Sequence, residues 1–424
     1  MLTPDTLRHT LAVALADTRA RRVLLIHPDY SRNDFCALLV PILYDQLRLH
    51  GLERLDTLNA GGTHRAMRAD ELHTKLGLHP ETHPLLGVMA NHRYADPAAL
   101  MLAGTIPAAF VAEKTAGHLN EPLAVTVNRM VADDYDLVIA LSGTVPHEAL
   151  GYSGGTKILF PGISGPEVIA LLHWAAVLIG IPRLIGTIDN PARDVVDAGA
   201  RFIFDLVRRP MLGLNMVYTE DEHHRPVPRG LFAGWGPEGF ADALRRAAEL
   251  SSRLHIHYLA EPVTVAVQRI PAMYDEVWTA GKGSYKLQRP GVVAPGGEIV
   301  LFAPHIHQFH SDPELDAAIR AIGYHGLEYV VDHLQRNPGF NRNVAAHVIN
   351  VRGIGSMADG VERFDFRVTL ASQISERDCT RVGLGYRDPA SLREEEYRGA
   401  GRLWIDEGGQ WLYARRRAGS VSDE

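Results

Sequence analysis

Basic charge, cysteine and long apolar runs are all scarce in this chain of 424 residues. Asp and Glu outnumber Lys and Arg by 50 to 43, a formal net charge of -7 that argues against a nucleic-acid partner, because such proteins normally present a basic face. Small anions remain possible ligands, since a local cluster of Arg and Lys overrides a mildly acidic average. Two cysteines, Cys36 and Cys379, cannot build a disulfide framework and suit a reducing, cytoplasmic setting. The longest apolar stretch, Val168 to Ile181, is interrupted by His173 and Trp174 and is too short to span a bilayer. Met1 to Arg22 reads as an amphipathic helix and not as a hydrophobic leader. The expectation is a soluble protein without membrane or nucleic-acid partners. What the chain has in quantity is apolar side chain, 46% of the total, enough to fill the cores of two or three domains.

Short β-rich runs alternate with longer helical patterns. Arg22 to His27, Leu52 to Asn59 and Asp136 to Leu141 read as buried strands, and Phe35 to His50 and Glu167 to Leu178 as helices. This alternation predicts an α/β fold with mostly parallel sheets, and ligands in such sheets bind beyond the carboxyl ends of the strands. After a helix over Phe240 to Leu254, Glu261 to Val267 and Gly297 to Phe302 read as strands, with a helix starting near Trp278. Asp312 to Ile322 and Leu327 to Gln335 follow as helices, and Val344 to Val351 returns to strand. The expectation is two α/β domains, 1–260 and 261–424, with the active site in the cleft between them. The tail, Ala418 to Glu424, is expected to be disordered.

The densest signal runs from Ser142 to His173. Its Gly-rich turn, Ser153-Gly154-Gly155-Thr156-Lys157, follows a strand and can offer backbone N–H groups to a phosphate. The Walker spacing is absent, Lys157 being followed by Ile158, and no G-x-G-x-x-G follows an early strand. From the residues alone, Lys157 fits a phosphate binder or a helix cap, and His173 a core histidine as well as a metal ligand.

The order His147, Gly-rich loop, Lys157, Pro161-Gly162, His173 closely resembles the nickel-dependent lactate racemase family. The resemblance implies a nickel-pincer nucleotide, a pyridinium mononucleotide joined covalently to Lys157, with Ser153, Gly154, Gly155 and Asp29 around it. His173 then matches the nickel-ligating histidine, and imidazole suits nickel. Two earlier strand ends carry the same likeness. Asp29 and Arg32 fall on the family's Asp-x-x-Arg element, whose arginine fork binds the substrate carboxylate. His64, in Gly-Thr-His-Arg65, matches one catalytic histidine and His147 the other. By this resemblance the chain is an isomerase that inverts C2 of a 2-hydroxy acid through a 2-keto intermediate. Each enantiomer needs its own acid/base, and histidine, with a pKa of about 6.5, suits that task. Cofactor-synthesis proteins are implied as transient partners.

In the second domain the family's Tyr-Gln-x-x-Lys element meets Trp278-Thr279-Ala280-Gly281-Lys282. Lys282 keeps the charge while Trp278 and Thr279 depart, which turns attention to the substrate. With His305 and His307 read as donors to substrate hydroxyls, the departure points to a sugar acid such as gluconate. Lactate or another short-chain 2-hydroxy acid is the alternative. Two other classes stay open: a zinc-dependent hydrolase on His305, His307 and His310, and a non-catalytic nucleotide- or acid-binding protein.

Overall fold

The computed structural model describes residues 2–32, 34–223, 225–353 and 355–415. The tail expected to be disordered lies outside them. The first part runs α1 (Pro4–Leu15), β1 (Arg22–His27), α2 (Cys36–Leu49), β2 (Arg54–Asn59), α3 (Ala69–Leu76), β3 (Leu86–Asn91), β4 (Leu100–Ile106), α4 (Ala108–Lys114), β5 (Leu123–Asn128) and β6 (Leu137–Gly143). Two short strands, β7 (Pro146–His147) and β8 (Gly151–Tyr152), precede α5 (Pro166–Ile179), α6 (Ile181–Leu184), α7 (Pro191–Val207), β9 (Met211–Glu220), β10 (Pro226–Trp235) and α8 (Gly236–His255).

The chain divides into two compact units, each discontinuous in sequence. The first holds Met1–Val145, Leu150–Ile169 and Ile188–Leu254; the second holds Pro146–Ala149, Ala170–Thr187 and His255–Glu424. No described helix is long and apolar enough to cross a membrane.

The first unit is built on a six-stranded sheet in the order β10-β9-β6-β1-β2-β3, parallel except for the β9–β10 pair. Its central strand is buried on both faces, which is why Val23-Leu-Leu-Ile26 is uninterrupted apolar sequence. Burying each such side chain is worth roughly 1.5–3 kcal/mol. Helix α1 adds Leu7, Leu11 and Leu15 at helical spacing to that core, beside Leu39, Leu43 and Leu47 of α2. Parallel register sets His27 beside Asn59, and Asn59 beside Asn91, so the chain leaves β1, β2 and β3 at one sheet edge. A hairpin of β4 and β5 stands apart as its own two-stranded sheet.

The second unit continues β11 (Ile256–Leu259), β12 (Val263–Arg269), α9 (Val277–Ala280), α10 (Lys282–Tyr285), β13 (Val293–Ala303), α11 (Pro313–Ile322), α12 (Leu327–Arg336) and α13 (Arg342–Arg352). It closes with β14 (Ser356–Ala358), β15 (Val361–Arg363), β16 (Phe366–Ser372), α14 (Glu376–Arg381), β17 (Gly385–Tyr386), β18 (Arg402–Ile405) and β19 (Leu412–Arg415). Its main sheet is wholly parallel, in the order β17-β16-β13-β12-β18. Val344 to Val351, expected as a strand from its β-branched residues, is helical in α13. Asn341 caps that helix, its Oδ1 accepting from the N–H groups of Asn343 (2.9 Å) and Val344 (3.3 Å). Val344, Val348 and Val351 then share one buried face, so packing overrides β propensity.

Candidate active-site residues

In the first unit, the loop after β1 presents Asp29 and Arg32. Asp29 is buried; its Oδ1 accepts from the N–H (3.1 Å) and hydroxyl (2.7 Å) of Ser31, which fixes the carboxylate. Its Oδ2 stands 2.5 Å from Nδ1 of His64, in the loop after β2. With the carboxylate accepting there, His64 carries its proton on Nδ1 and its lone pair on Nε2. An imidazole oriented in this way has the geometry a general base needs. Arg65, next in sequence, makes two 3.0 Å bonds to Glu71 and lies 4.0 Å over the Tyr30 ring.

The loop after β6 carries Ser153 to Lys157. Ser153 donates its hydroxyl to the Gly143 carbonyl (2.8 Å) and accepts the Val145 N–H (3.0 Å), so its oxygen ties the loop to the strand end. Gly154 has φ +94°, and a Cβ there would meet Asn215 Oδ1 and Thr144 Oγ1 at 2.7 Å, a position only glycine fills. The Gly155 N–H donates to Asn215 Oδ1 (2.7 Å). Buried Arg193 donates to the carbonyls of Leu150, Tyr152 and Gly154, and Thr156 donates to Asp197. The glycine loop is therefore a rigid mount for the partly exposed Lys157. The N–H of Gly155 is turned to Asn215. His92 has a defined place: its Nε2 donates to the Ser164 carbonyl (2.8 Å) and its Nδ1 accepts from Asn128 (3.1 Å). Burial lowers its pKa, so it is a neutral strut.

In the second unit, His147 Nδ1 accepts the Ala149 N–H at 3.2 Å, which leaves the ring proton on Nε2. His147 and His64 are thus held in opposite tautomers. Beside His147, the partly buried carboxylate of Glu148 lies 3.6 Å from the same Nδ1, beyond hydrogen-bond distance. Burial pushes that carboxyl up, but Lys282, its own backbone N–H, His173 and Lys286 outweigh it and hold the pKa below the ordinary value. Lys286 donates to the Pro146 carbonyl. His173 Nδ1 lies 2.9 Å from Asn343 Oδ1, so its proton is on Nδ1 and its lone pair on Nε2. Lys282 is buried on α10, with its ammonium 4.7 Å over the Tyr274 ring. Gln268 of β12 fixes that turn by donating to the Gly283 carbonyl (2.7 Å) and accepting the Gly409 N–H (3.0 Å).

Trp278 packs at a 30° tilt against His347 (4.4 Å between centroids) and meets His310 edge-on (4.9 Å). The Tyr324 hydroxyl is 3.1 Å from His347 Nε2, and burial lowers His347 to a pKa of about 3. Thr279 donates its hydroxyl to the Glu276 carbonyl (3.1 Å). Of the other histidines, His305 Nε2 donates to the Tyr274 carbonyl (3.0 Å), His307 is exposed, and His310 Nδ1 accepts the Asp312 N–H (2.8 Å). The zinc alternative finds no support here: among the described residues no three His, Cys, Asp or Glu side chains gather to hold a metal.

Residues 9–180 match the model of the lactate racemase N-terminal domain. Over that segment, less than half of its length, the chain is similar to the lactate racemase N-terminal domain. A lactate racemase from Thermoanaerobacterium thermosaccharolyticum is 25% identical over 194 residues, 44% of this chain and 42% of that protein, so the match spans less than half of the relative. The structure of the lactate racemase apoprotein from that organism aligns with a TM-score of 0.68 at 16% identity, over 97% of this chain and 93% of that one. A likeness at that identity speaks for the fold alone. A crystal structure of a Thermotoga maritima protein is 47% identical, with a TM-score of 0.94 over 98% of this chain and 99% of that one.

The lactate racemase domain match includes Asp29, Arg32, His64, His147, Lys157 and His173, and stops well before Trp278 and Lys282. Sequence reasoning passed over Glu148, Asn343 and Arg193. Glu148 adjoins a candidate histidine and so carried a local signal. Arg193 and Asn343 sit in the first turns of helices, and no short-range pattern marks what their side chains reach.

Proposed function

We propose that this chain is a lactate racemase-family member, a cytoplasmic 2-hydroxyacid racemase or epimerase that uses a nickel-pincer nucleotide supplied by cofactor-synthesis proteins. The observation that carries the reading is the Asp29–His64 pair, a buried carboxylate orienting an imidazole whose Nε2 accepts protons. The geometry at His173 supports the cofactor reading. Metal-ligating histidines usually donate their other N–H to an oxygen, as His173 Nδ1 does to Asn343. Lys157, partly exposed at the end of a rigid glycine turn, is the attachment amine, and Asp29, Ser153, Gly154 and Gly155 shape its surroundings. When bound, the group supplies a reversible hydride acceptor.

The chain's own residues do the proton work. Arg32 and Lys282 hold the substrate carboxylate, the arginine through its planar fork. His64 Nε2 takes the hydroxyl proton of one enantiomer as the C2 hydrogen leaves as hydride, which gives the planar 2-keto acid. After that acid turns over, hydride returned to C2 on its other face would leave an oxyanion, and His147 would give its Nε2 proton to that oxygen to form the hydroxyl. In the reverse direction the two exchange roles. Opposite tautomers suit this cycle, because one ring must begin as base while the other begins as acid.

For the substrate we infer a polyhydroxylated acid such as gluconate, with a short-chain acid such as lactate as the alternative. Its support is Trp278 in place of the family's Tyr and the exposed His307; His305 and Thr279 are engaged with backbone carbonyls. Intact-mass spectrometry of protein made together with the cofactor-synthesis proteins tests the cofactor: a nucleotide-sized adduct is expected, absent in Lys157→Ala. Turnover retained by Lys157→Ala refutes the reading. Assays on lactate, malate and gluconate test the substrate, and activity on lactate alone removes the sugar-acid assignment.

A further inference from the structure

Helix α3 reaches both loops that carry the first unit's candidate residues. Near its end, the Lys75 ammonium lies 2.6 Å from the Arg32 carbonyl oxygen and 3.1 Å from Asp34 Oδ2. The Lys75 side chain is 10% exposed and that of Asp34 is fully enclosed. The other Asp34 oxygen accepts the N–H of Cys36, the first residue of α2 (3.0 Å). Gly77, which ends α3, has φ +63°, and a Cβ there would stand 2.6 Å from the Ala37 carbonyl, so α3 is pressed against α2. At the other end of α3, Glu71 holds Arg65, and Arg65 covers Tyr30. One helix thus grips the loop of Asp29 and Arg32 through Lys75, and the loop of His64 through Glu71.

We propose that Lys75 is a positioning residue for substrate carboxylate recognition: by binding the Arg32 carbonyl and pairing with Asp34 it sets the backbone from which the Arg32 guanidinium is presented. This rests on reading Arg32 as the carboxylate clamp. The physical basis is a short hydrogen bond from an ammonium whose buried carboxylate keeps it in place. Such charge-assisted bonds are strong and directional. Glu71 does the corresponding work for the loop of His64 through Arg65, so variants at Lys75 and at Glu71 start the disturbance in different loops.

The test compares Lys75→Met, Lys75→Arg and Glu71→Gln with the wild type, using backbone amide exchange of the unloaded proteins and steady-state kinetics of the loaded ones. Exchange over Asp29 to Arg32 rises more in Lys75→Met than in Glu71→Gln, and exchange over Ala60 to Arg65 rises more in Glu71→Gln than in Lys75→Met. On whichever of lactate, malate or gluconate the wild type turns over, Lys75→Met raises KM roughly 10- to 100-fold, as expected when a binding group is displaced by about 1 Å, and largely keeps kcat. Lys75→Arg restores most of the KM. Unchanged exchange over Asp29 to Arg32 overturns the proposal whatever the substrate. Equal losses in kcat and kcat/KM that track the melting temperature also overturn it, since they mark a merely structural lysine. If the wild type turns over none of the three acids, the racemase reading fails, and the exchange data alone decide the brace.

Discussion

His64 and His147 hold their protons on opposite ring nitrogens, and the surroundings of each explain why. In the first unit a carboxylate faces His64 directly, at hydrogen-bond distance, and the nearby charges are held in small local pairings: Asp29 with His64, Glu71 with Arg65 and Arg68, Lys75 with Asp34. In the second unit His147 receives a backbone N–H, and the neighbouring charge is collective, one partly buried Glu148 answering Lys282, His173 and Lys286. Paired charges fix the direction of a single side chain. A shared charge keeps several cations in place at once, and removing it disturbs all of them.

The contrast can be broken by mutation, and the largest effect is expected at the two proposed bases. His64→Ala should lower turnover about 10²- to 10⁴-fold, the usual contribution of a general base. Single-turnover assays should show that it blocks proton removal from one enantiomer and His147→Ala from the other. Loss of the same enantiomer in both variants would break the opposed-tautomer assignment.

Next in size is Glu148→Gln. Leaving buried cations without their carboxylate should cost about 3–5 kcal/mol, read by chemical denaturation with the loss confined to the transition of the second unit. Asp29→Asn disturbs a single pair and should cost less stability while removing more activity.

Asn343→Ala should be smaller again. It releases the His173 Nδ1 proton and should weaken nickel retention by about 10- to 100-fold, measured as metal content after dialysis. Full retention would show that Asn343 does not orient the ring.

The smallest effect is on pH dependence. Burial lowers His27 to about 4 in the first unit and His347 to about 3 in the second. An unfolded histidine titrates near 6.5, so below that pH the unfolded chain binds protons that the folded one refuses. Stability is therefore full above about pH 6.5 and falls as the pH drops toward 4 and then 3. His347→Gln should lessen that acid slope by up to about 1.4 kcal/mol per pH unit, followed by thermal melts between pH 4 and 7.

Much of this was legible locally. Continuous apolar runs marked β1, β2 and β6, since a central parallel strand has no wet face. Polar clusters directly after those strands marked the candidate loops, because parallel register delivers the ends to one edge. The reading failed where two local signals conflicted: the β-branched residues of Val344 to Val351 suggested a strand, and the Asn341 cap with a buried helical face decided for a helix.

The sequence by itself determined which residue types stand at which strand ends, and so the chemistry on offer: imidazoles, a lysine on a glycine turn, an arginine fork. Only the tertiary structure decided how each is held. Which ring nitrogen of a histidine carries the proton depends on which atom is hydrogen-bonded at its Nδ1, a carboxylate 35 residues away for His64 and a backbone N–H two residues on for His147. The tie between Lys75 and Arg32 spans 43 residues and exists because α3 packs on α2. Spacing along a chain constrains neighbours within a turn or two; hydrogen bonds between loops are fixed by packing, and packing is a property of the whole fold.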